Sequence, residues 1–249
     1  MDNNSYWSRN REKAMELAKN QHFKEALVML FDLTESNKED SELFVAMGYC
    51  AGAIGDYGLA ISSYLKALEQ LPKDQAIDPK NKAIDAATIC LNLGEIYLRN
   101  KNYTEAIEIL EIGIKHNPKD ANVYNAMGMA YQSLGDLDKA LELYLGSRMA
   151  MLTNAARWDK ESDRVKDLNK MTGHKAIMLD LDKSHSVLGS NPDYSILMEN
   201  IALIYLKLGD LEEAKDALQE SIDFTPEGFD FSEKQEALDQ LKSMEVNDK

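Results

Sequence analysis

The chain has 249 residues, 44% of them hydrophobic and 29% charged, which provides for a substantial core and excludes global disorder. A net charge of −15 sets the surface against phosphate backbones and anionic lipid, so nucleic-acid and membrane partners are disfavoured. The charge reads first as solubility, and second as an attraction for a basic partner segment.

Helix formers abound and only five prolines occur, all between periodic segments, which predicts a mainly helical protein. Residues 7–40 carry a sparse apolar stripe at Ala14, Leu17, Ala26 and Leu30. Residues 41–74 carry Phe44, Met47, Gly48, Ala60, Tyr64, Ala67 and Pro72. Ala26 to Ala60 and Leu30 to Tyr64 span the same period, thirty-four positions. The stretch 75–86 is extra to that period, and Asp78-Pro79 in it reads as an N-cap with proline in the first turn, the start of a lengthened helix. Residues 87–120 carry Cys90, Leu93, Gly94, Tyr97, Ala106, Leu110 and Pro118. Residues 121–154 repeat this as Tyr124, Met127, Gly128, Tyr131, Ala140 and Tyr144, without a closing proline. Cys50 and Cys90 lie among apolar residues of predicted helices, so buried reduced thiols are expected.

The interval 155–194 is the least regular. Ala140 to Ala214 spans two periods plus six, which leaves room for one degenerate helical pair on Ala156, Val165, Leu168 and Met171, then Ile177, Leu181 and Leu188. A long helix or a loop is the alternative. Asn191-Pro192 opens the next unit, 195–228, with Met198, Ile201, Ala202, Tyr205, Ala214, Leu218 and Pro226. A final helix over about 232–244 starts at a capping box of Ser232 and Gln235 and turns Ala237, Leu238, Leu241 and Met244 to one side.

This pattern predicts units of two antiparallel helices. Gly55-Asp56, Gly135-Asp136 and Gly209-Asp210 form the turns, glycine stopping one helix and Asp capping the next. Gly48, Gly94 and Gly128 are expected to face Ala60, Ala106 and Ala140, with Tyr97, Tyr131 and Tyr205 beside that crossing. One unit cannot bury its apolar face, so units must stack.

The repeated residues resemble the tetratricopeptide repeat, whose sparse signature is a large residue, Leu-Gly, Tyr, Ala, an aromatic or Leu, and Pro. The resemblance implies an all-α fold: an α-α superhelix, the right-handed solenoid of antiparallel helix pairs with a C-terminal capping helix. It implies a single domain over 1–249, with repeats at about 7–40, 41–74, 87–120, 121–154, a degenerate 155–194, and 195–228. It also implies a protein-interaction scaffold or adaptor that seats a peptide or helix in its concave groove, without catalysis or cofactor.

Carrying the family's groove positions onto this chain gives Glu42, Val45, Tyr49, Leu91, Glu95, Leu98, Asn122, Asn125, Met129, Gln132, Glu199 and Leu203. Arg11, Met15, Lys19, Gly52, Thr88, Ile196 and Leu206 extend the set. The apolar members offer anchors, Asn125 and Gln132 hydrogen bonds, and the three glutamates a preference for Lys or Arg, so a basic or apolar protein segment is the expected partner. Relatives that grip the acidic tails of heat-shock chaperones use a Lys, Asn and Arg clamp. Asn92 matches one clamp asparagine, but Thr88, Asn122, Val45 and Ala126 stand at the basic positions, which disfavours that ligand.

Two other readings compete. One is self-assembly into a homo-oligomer through solenoid ends or the exposed face of the interval 155–194. The other is a metal or enzymatic site around His174, Asp180, Asp182 and His185. The helix between the two histidines would span about 16 Å, too far for one ion without a break. No phosphate loop, dinucleotide fingerprint or nucleophile elbow is present. With no basic stretch leading into an apolar run at the N-terminus, the expected compartment is cytoplasmic.

Overall fold

The computed structural model describes residues 3–36, 40–71, 86–158, 188 and 191–247. Among the described residues there are eleven helices and no strand: α1 (Asn3–Lys19), α2 (Phe23–Ser36), α3 (Ser41–Ala53), α4 (Tyr57–Gln70), α5 (Ala86–Arg99), α6 (Tyr103–His116), α7 (Ala121–Leu134), α8 (Leu137–Trp158), α9 (Pro192–Leu208), α10 (Leu211–Asp223) and α11 (Ser232–Asn247). They fall into two compact units, Met1–Pro118 with α1–α6 and Lys119–Lys249 with α7–α11.

Every helical pair is closed by the same turn. One residue in each turn is left-handed: Gln21, Gly55, Lys101, Gly135 and Gly209, with φ of 64°, 82°, 62°, 87° and 88°. The amide that follows donates to a carbonyl five residues back, as in Asn102 N to Tyr97 O at 2.9 Å and Asp136 N to Tyr131 O at 3.0 Å, which satisfies helix-end carbonyls. Asp56 and Asp136 then cap the second helices by accepting from Leu59 N and Lys139 N, both at 3.1 Å. Asp210 stands at the same place but makes no side-chain cap bond.

The glycines of the first helices meet a different partner from the one expected. A Cβ on Gly48 would lie 2.9 Å from the Tyr64 ring, on Gly94 2.6 Å from Leu110, and on Gly128 2.6 Å from the Tyr144 ring. The seated residue is therefore one turn beyond Ala60, Ala106 and Ala140. A helical side chain leans toward its helix N-terminus, so the large residue reaches back to the level of the preceding alanine. Ala14 with Leu30 and Ala202 with Leu218 occupy these two places in the first and last pairs, and all four are buried.

In unit 1, α2 packs on α3 and α4 on α5; in unit 2, α8 packs on α9. The expected start of a helix at Asp78-Pro79 lies outside the described residues, as does most of the interval 155–194. The first residues of that interval do not begin a new unit. They continue α8, 22 residues long, and Ala155 joins the core with Leu188 and the α9 residues Tyr194 and Leu197. Since α8 lies directly on α9, repeats 121–154 and 195–228 pack as neighbours.

That junction holds a buried ionic network. Arg148 of α8, 4% exposed, donates through Nη2 to both Glu220 oxygens of α10 at 2.9 and 2.8 Å, and through Nε to the Tyr194 hydroxyl at 3.2 Å. Tyr194 in turn donates to Glu220. Burial works against the charge on Arg148, and Tyr194 and Glu220 more than offset it, so its pKa stays raised.

The capping helix α11 buries Leu238 and Leu241 against this core, as its pattern predicts. Its cap differs from the predicted box. Asp230 Oδ1 accepts from Ser232 N at 2.9 Å, and Gln235 bonds forward to Asp239 at 3.0 Å instead of back.

Two stability measurements check this description. Lys101→Gly relieves a left-handed side chain and is expected to raise stability by about 1 kcal/mol in denaturant unfolding. Arg148→Met leaves the largely enclosed Glu220 carboxylate without its cation and is expected to cost about 3 kcal/mol, while the triple variant Arg148→Met, Glu220→Leu, Tyr194→Phe, which leaves no polar group of the network unpaired, recovers most of it.

Candidate functional site

The candidate residues fall on four register positions of the first helices, fixed by the equivalence of Gly48, Gly94, Gly128 and Ala202. One position holds Glu42, Thr88, Asn122 and Ile196; another holds Tyr49, Glu95, Met129 and Leu203. These two point outward: Thr88, Asn122 and Ile196 are exposed and Glu42 is half-buried, while all four of the second set are exposed. Tyr49, Met129 and Leu203 are open to 52%, 44% and 43%.

The other two positions lie deeper. Leu91, Asn125 and Glu199 are half-buried, whereas Val45, at the equivalent place in α3, is 7% exposed and has little surface to offer. Leu98, Gln132 and Leu206 are half-buried, and Gly52 is buried, its absent Cβ leaving room for Ile96 Cδ1 at 2.5 Å. The helix period explains the division. Residues seven apart nearly share a line along the helix, so each outward pair flanks an inward pair on one stripe.

Hydrogen bonds differentiate these residues further. The Tyr144 ring, seated on Gly128, carries its hydroxyl through to Gln132 Oε1 at 2.6 Å, so one groove amide is held by the core residue beneath it. Asn125 Oδ1 is buried with no hydrogen-bond partner among the described residues. A stranded acceptor of this kind costs about 1–3 kcal/mol. Burial pushes the Tyr64 and Tyr144 hydroxyls well above their ordinary pKa.

Ion pairs within the chain take up some of these side chains, and the residue pattern does not show them. Arg11 of α1 pairs with Glu42 and with Asp40, the latter at 3.3 Å. Lys234 of α11 reaches Glu199 Oε2, Ser195 Oγ and Ser221 Oγ, each at 3.0 Å. Such pairs join helices far apart in the chain, and no local spacing announces them.

Chemistry of another kind is not visible. No group of three or more His, Cys, Asp or Glu among the described residues is arranged to hold a metal ion. The four residues of the metal reading, His174, Asp180, Asp182 and His185, lie outside the described residues. No helix among the described residues is long and apolar enough to cross a membrane.

Helical pairs closed on a small residue, Gly48, Gly94, Gly128 or an alanine in its place, with mixed side chains on the first helices, define a helical-repeat protein. The sequence matches the family described as tetratricopeptide repeat over residues 41–74 and 197–227 in one form and 85–145 in another, about half of the chain. The chain belongs to the tetratricopeptide-repeat family.

Its relatives are distant. It is 26% identical over 158 residues to tetratricopeptide repeat protein 21A of Mus musculus, covering 63% of this chain and 11% of that one. It is 22% identical over 111 residues to the photosystem I assembly protein Ycf3 of Prochlorococcus marinus, covering 45% and 58%. The chain thus spans about a tenth of one and somewhat over half of the other. Among solved structures, MamA from Desulfovibrio magneticus aligns at TM-score 0.60 and 17% identity over 88% of this chain and 94% of that one. YrrB, a protein of the same repeat class with an unusual peptide-binding site, aligns at 0.55 and 15% over 86% and 84%. At these identities the likeness is one of fold.

The unpaired acceptor of Asn125 carries a stability test. Asn125→Leu is expected to leave the fold intact and raise its unfolding free energy by about 1 kcal/mol, since it removes a buried polar atom that nothing satisfies; a lower denaturation midpoint would mean that the amide is satisfied.

Proposed function

We propose that the chain is an interaction scaffold whose first-helix face docks an extended peptide or a helix of a partner protein. One observation carries the reading: the register position Tyr49, Glu95, Met129 and Leu203 is open in each of four repeats. Three of its four side chains are large and apolar, and a buried core would have enclosed them. The half-buried leucines and amides beside them, Leu91, Leu98, Asn125 and Gln132, supply the apolar anchors and backbone hydrogen bonds such a ligand needs. The peptide-binding site described for YrrB is in keeping with this use of the fold. We read the chain as non-catalytic and cytoplasmic on the same grounds as its sequence suggests.

Self-assembly is the competing reading. It draws on Phe229 and Phe231, exposed to 58% and 45% just before the capping helix. Light scattering separates the two, since a mass held at 28.0 kDa over all concentrations removes it.

The docking face is tested by capture from the native lysate. Met129→Asp and Leu203→Asp are each expected to lower partner recovery by about tenfold, as truncated anchors do, with unchanged circular dichroism. Ile112→Asp, on an exposed site of the second helix α6, is expected to leave recovery as it was. Loss with Ile112→Asp alone would move the docking surface to the second helices.

A further inference from the structure

The three glutamates of the first-helix face are not equivalent. Glu42 is held by Arg11 and Glu199 by Lys234, so two of the three already carry a cation from within the chain. Glu95 makes neither an ion pair nor a hydrogen bond among the described residues. It is open to solvent on one side, yet the protein around it strips enough water to lift its carboxyl above the ordinary range, against the pull of Arg99 one turn further on. An unpaired carboxylate in that setting gains from any cation that reaches it.

Its surroundings point to the kind of cation. Tyr49 stands at the equivalent position of the preceding first helix. α3 and α5 close on one another where Gly52 meets Ile96. Tyr49 lies one turn before that contact and Glu95 adjoins it. Burial chiefly raises the Tyr64 hydroxyl, and the charges of Glu95 and Tyr49 both add to that rise while Arg99 opposes it. The Tyr49 ring is steadied by Phe23, edge to face at 5.7 Å between centroids, and half of its surface stays open.

We propose that Glu95 and Tyr49 seat the cationic side chain of a lysine or arginine from a partner polypeptide, the carboxylate supplying charge and the ring a π-face. This rests on the first-helix face being the docking surface. The chain itself shows the chemistry twice, because Glu42 and Glu199 each take a basic side chain from another helix. A net charge of −15 draws basic segments toward the face, and the Glu95 site then fixes where one of them lands.

The test uses the full chain and fluorescein-labelled peptides that share one apolar frame and carry Lys, Arg, Gln or Glu at a single central position. Anisotropy titrations are expected to give Lys and Arg peptides an advantage of about five- to tenfold over the Gln peptide, the reach of one ion pair with a cation–π contact. Glu95→Gln is expected to abolish that advantage without lowering the thermal midpoint. The raised carboxyl means the folded state disfavours the ionised form at neutral pH, so a neutral isostere removes a cost. Glu111→Gln, on the exposed side of α6, is expected to keep the advantage. Lys and Gln peptides that bind α3 and α5 alike in amide chemical-shift mapping overturn the cation site and leave the docking face standing. A preference that survives Glu95→Gln overturns it as well. If none of the peptides binds, the docking face falls and this inference with it.

Discussion

The contact between a first-helix glycine and the large side chain that follows it on the second helix determines what the rest of each pair can do. Tyr64, Leu110 and Tyr144 occupy space that a single methyl group would fill. With no side chain on one partner and a full ring or isobutyl group on the other, the two helices close to a fixed separation and angle. The alanine one turn before the large residue keeps that crossing narrow, and the left-handed turn residue returns the chain at the required pitch. Buried in this way, the pair still leaves apolar surface on its outer sides, which the next pair must cover. Stacking is therefore a consequence of how each pair is closed.

Closing the pairs in register has a further effect on the first helices. Their inward positions are consumed by the glycine contact and by neighbouring helices, so the residues left over form a stripe. Tyr144 shows the link between core and face directly, since its ring fills the glycine gap and its hydroxyl then holds Gln132. A residue of the first-helix face is thereby positioned by the same side chain that closes the pair. Specificity can vary along the stripe while the closure stays constant, because only the hydroxyl end of one core residue reaches it.

Much of this is legible in the residue pattern. The small and large residues recur at a constant spacing whatever the surface does, so repeats 41–74, 87–120, 121–154 and 195–228 stand out. The partner of each glycine is displaced by one turn from its expected place, because spacing alone does not show that Tyr64 leans back over Ala60. The turns at Gln21 and Lys101 are silent for another reason: each adopts the left-handed conformation without the glycine that would mark it. On the face, position can be carried over from the family but state cannot. Val45 and Leu91 share one register position, yet one is buried and the other half-open. The pairing of Glu42 by Arg11 and of Glu199 by Lys234 depends on how separate helices abut. It decides which carboxylate is left to act, and no single segment encodes it.

The Arg148 network raises a different question, since a buried ion pair is a poor source of stability. Removing two charges from water costs several kcal/mol each, and a well-packed apolar triad at such a site is often as stable or more so. Its value here is geometric. Apolar packing is non-directional and lets one helix slide along another by a turn at small cost. α8 ends at Trp158 and α9, the next described helix, begins at Pro192. A planar guanidinium gripping both oxygens of Glu220 and the hydroxyl of Tyr194 tolerates no such slide. Within each of the two pairs a second directional bond recurs: Ser147 Oγ donates to Ala121 O, and at the matching positions of the last pair Ser221 Oγ donates to Ser195 O. The serine bonds fix the two helices within each pair, and the Arg148 bonds align the last helical pair with the one before it. The register between these two pairs is thus held by directional polar groups as well as by apolar packing.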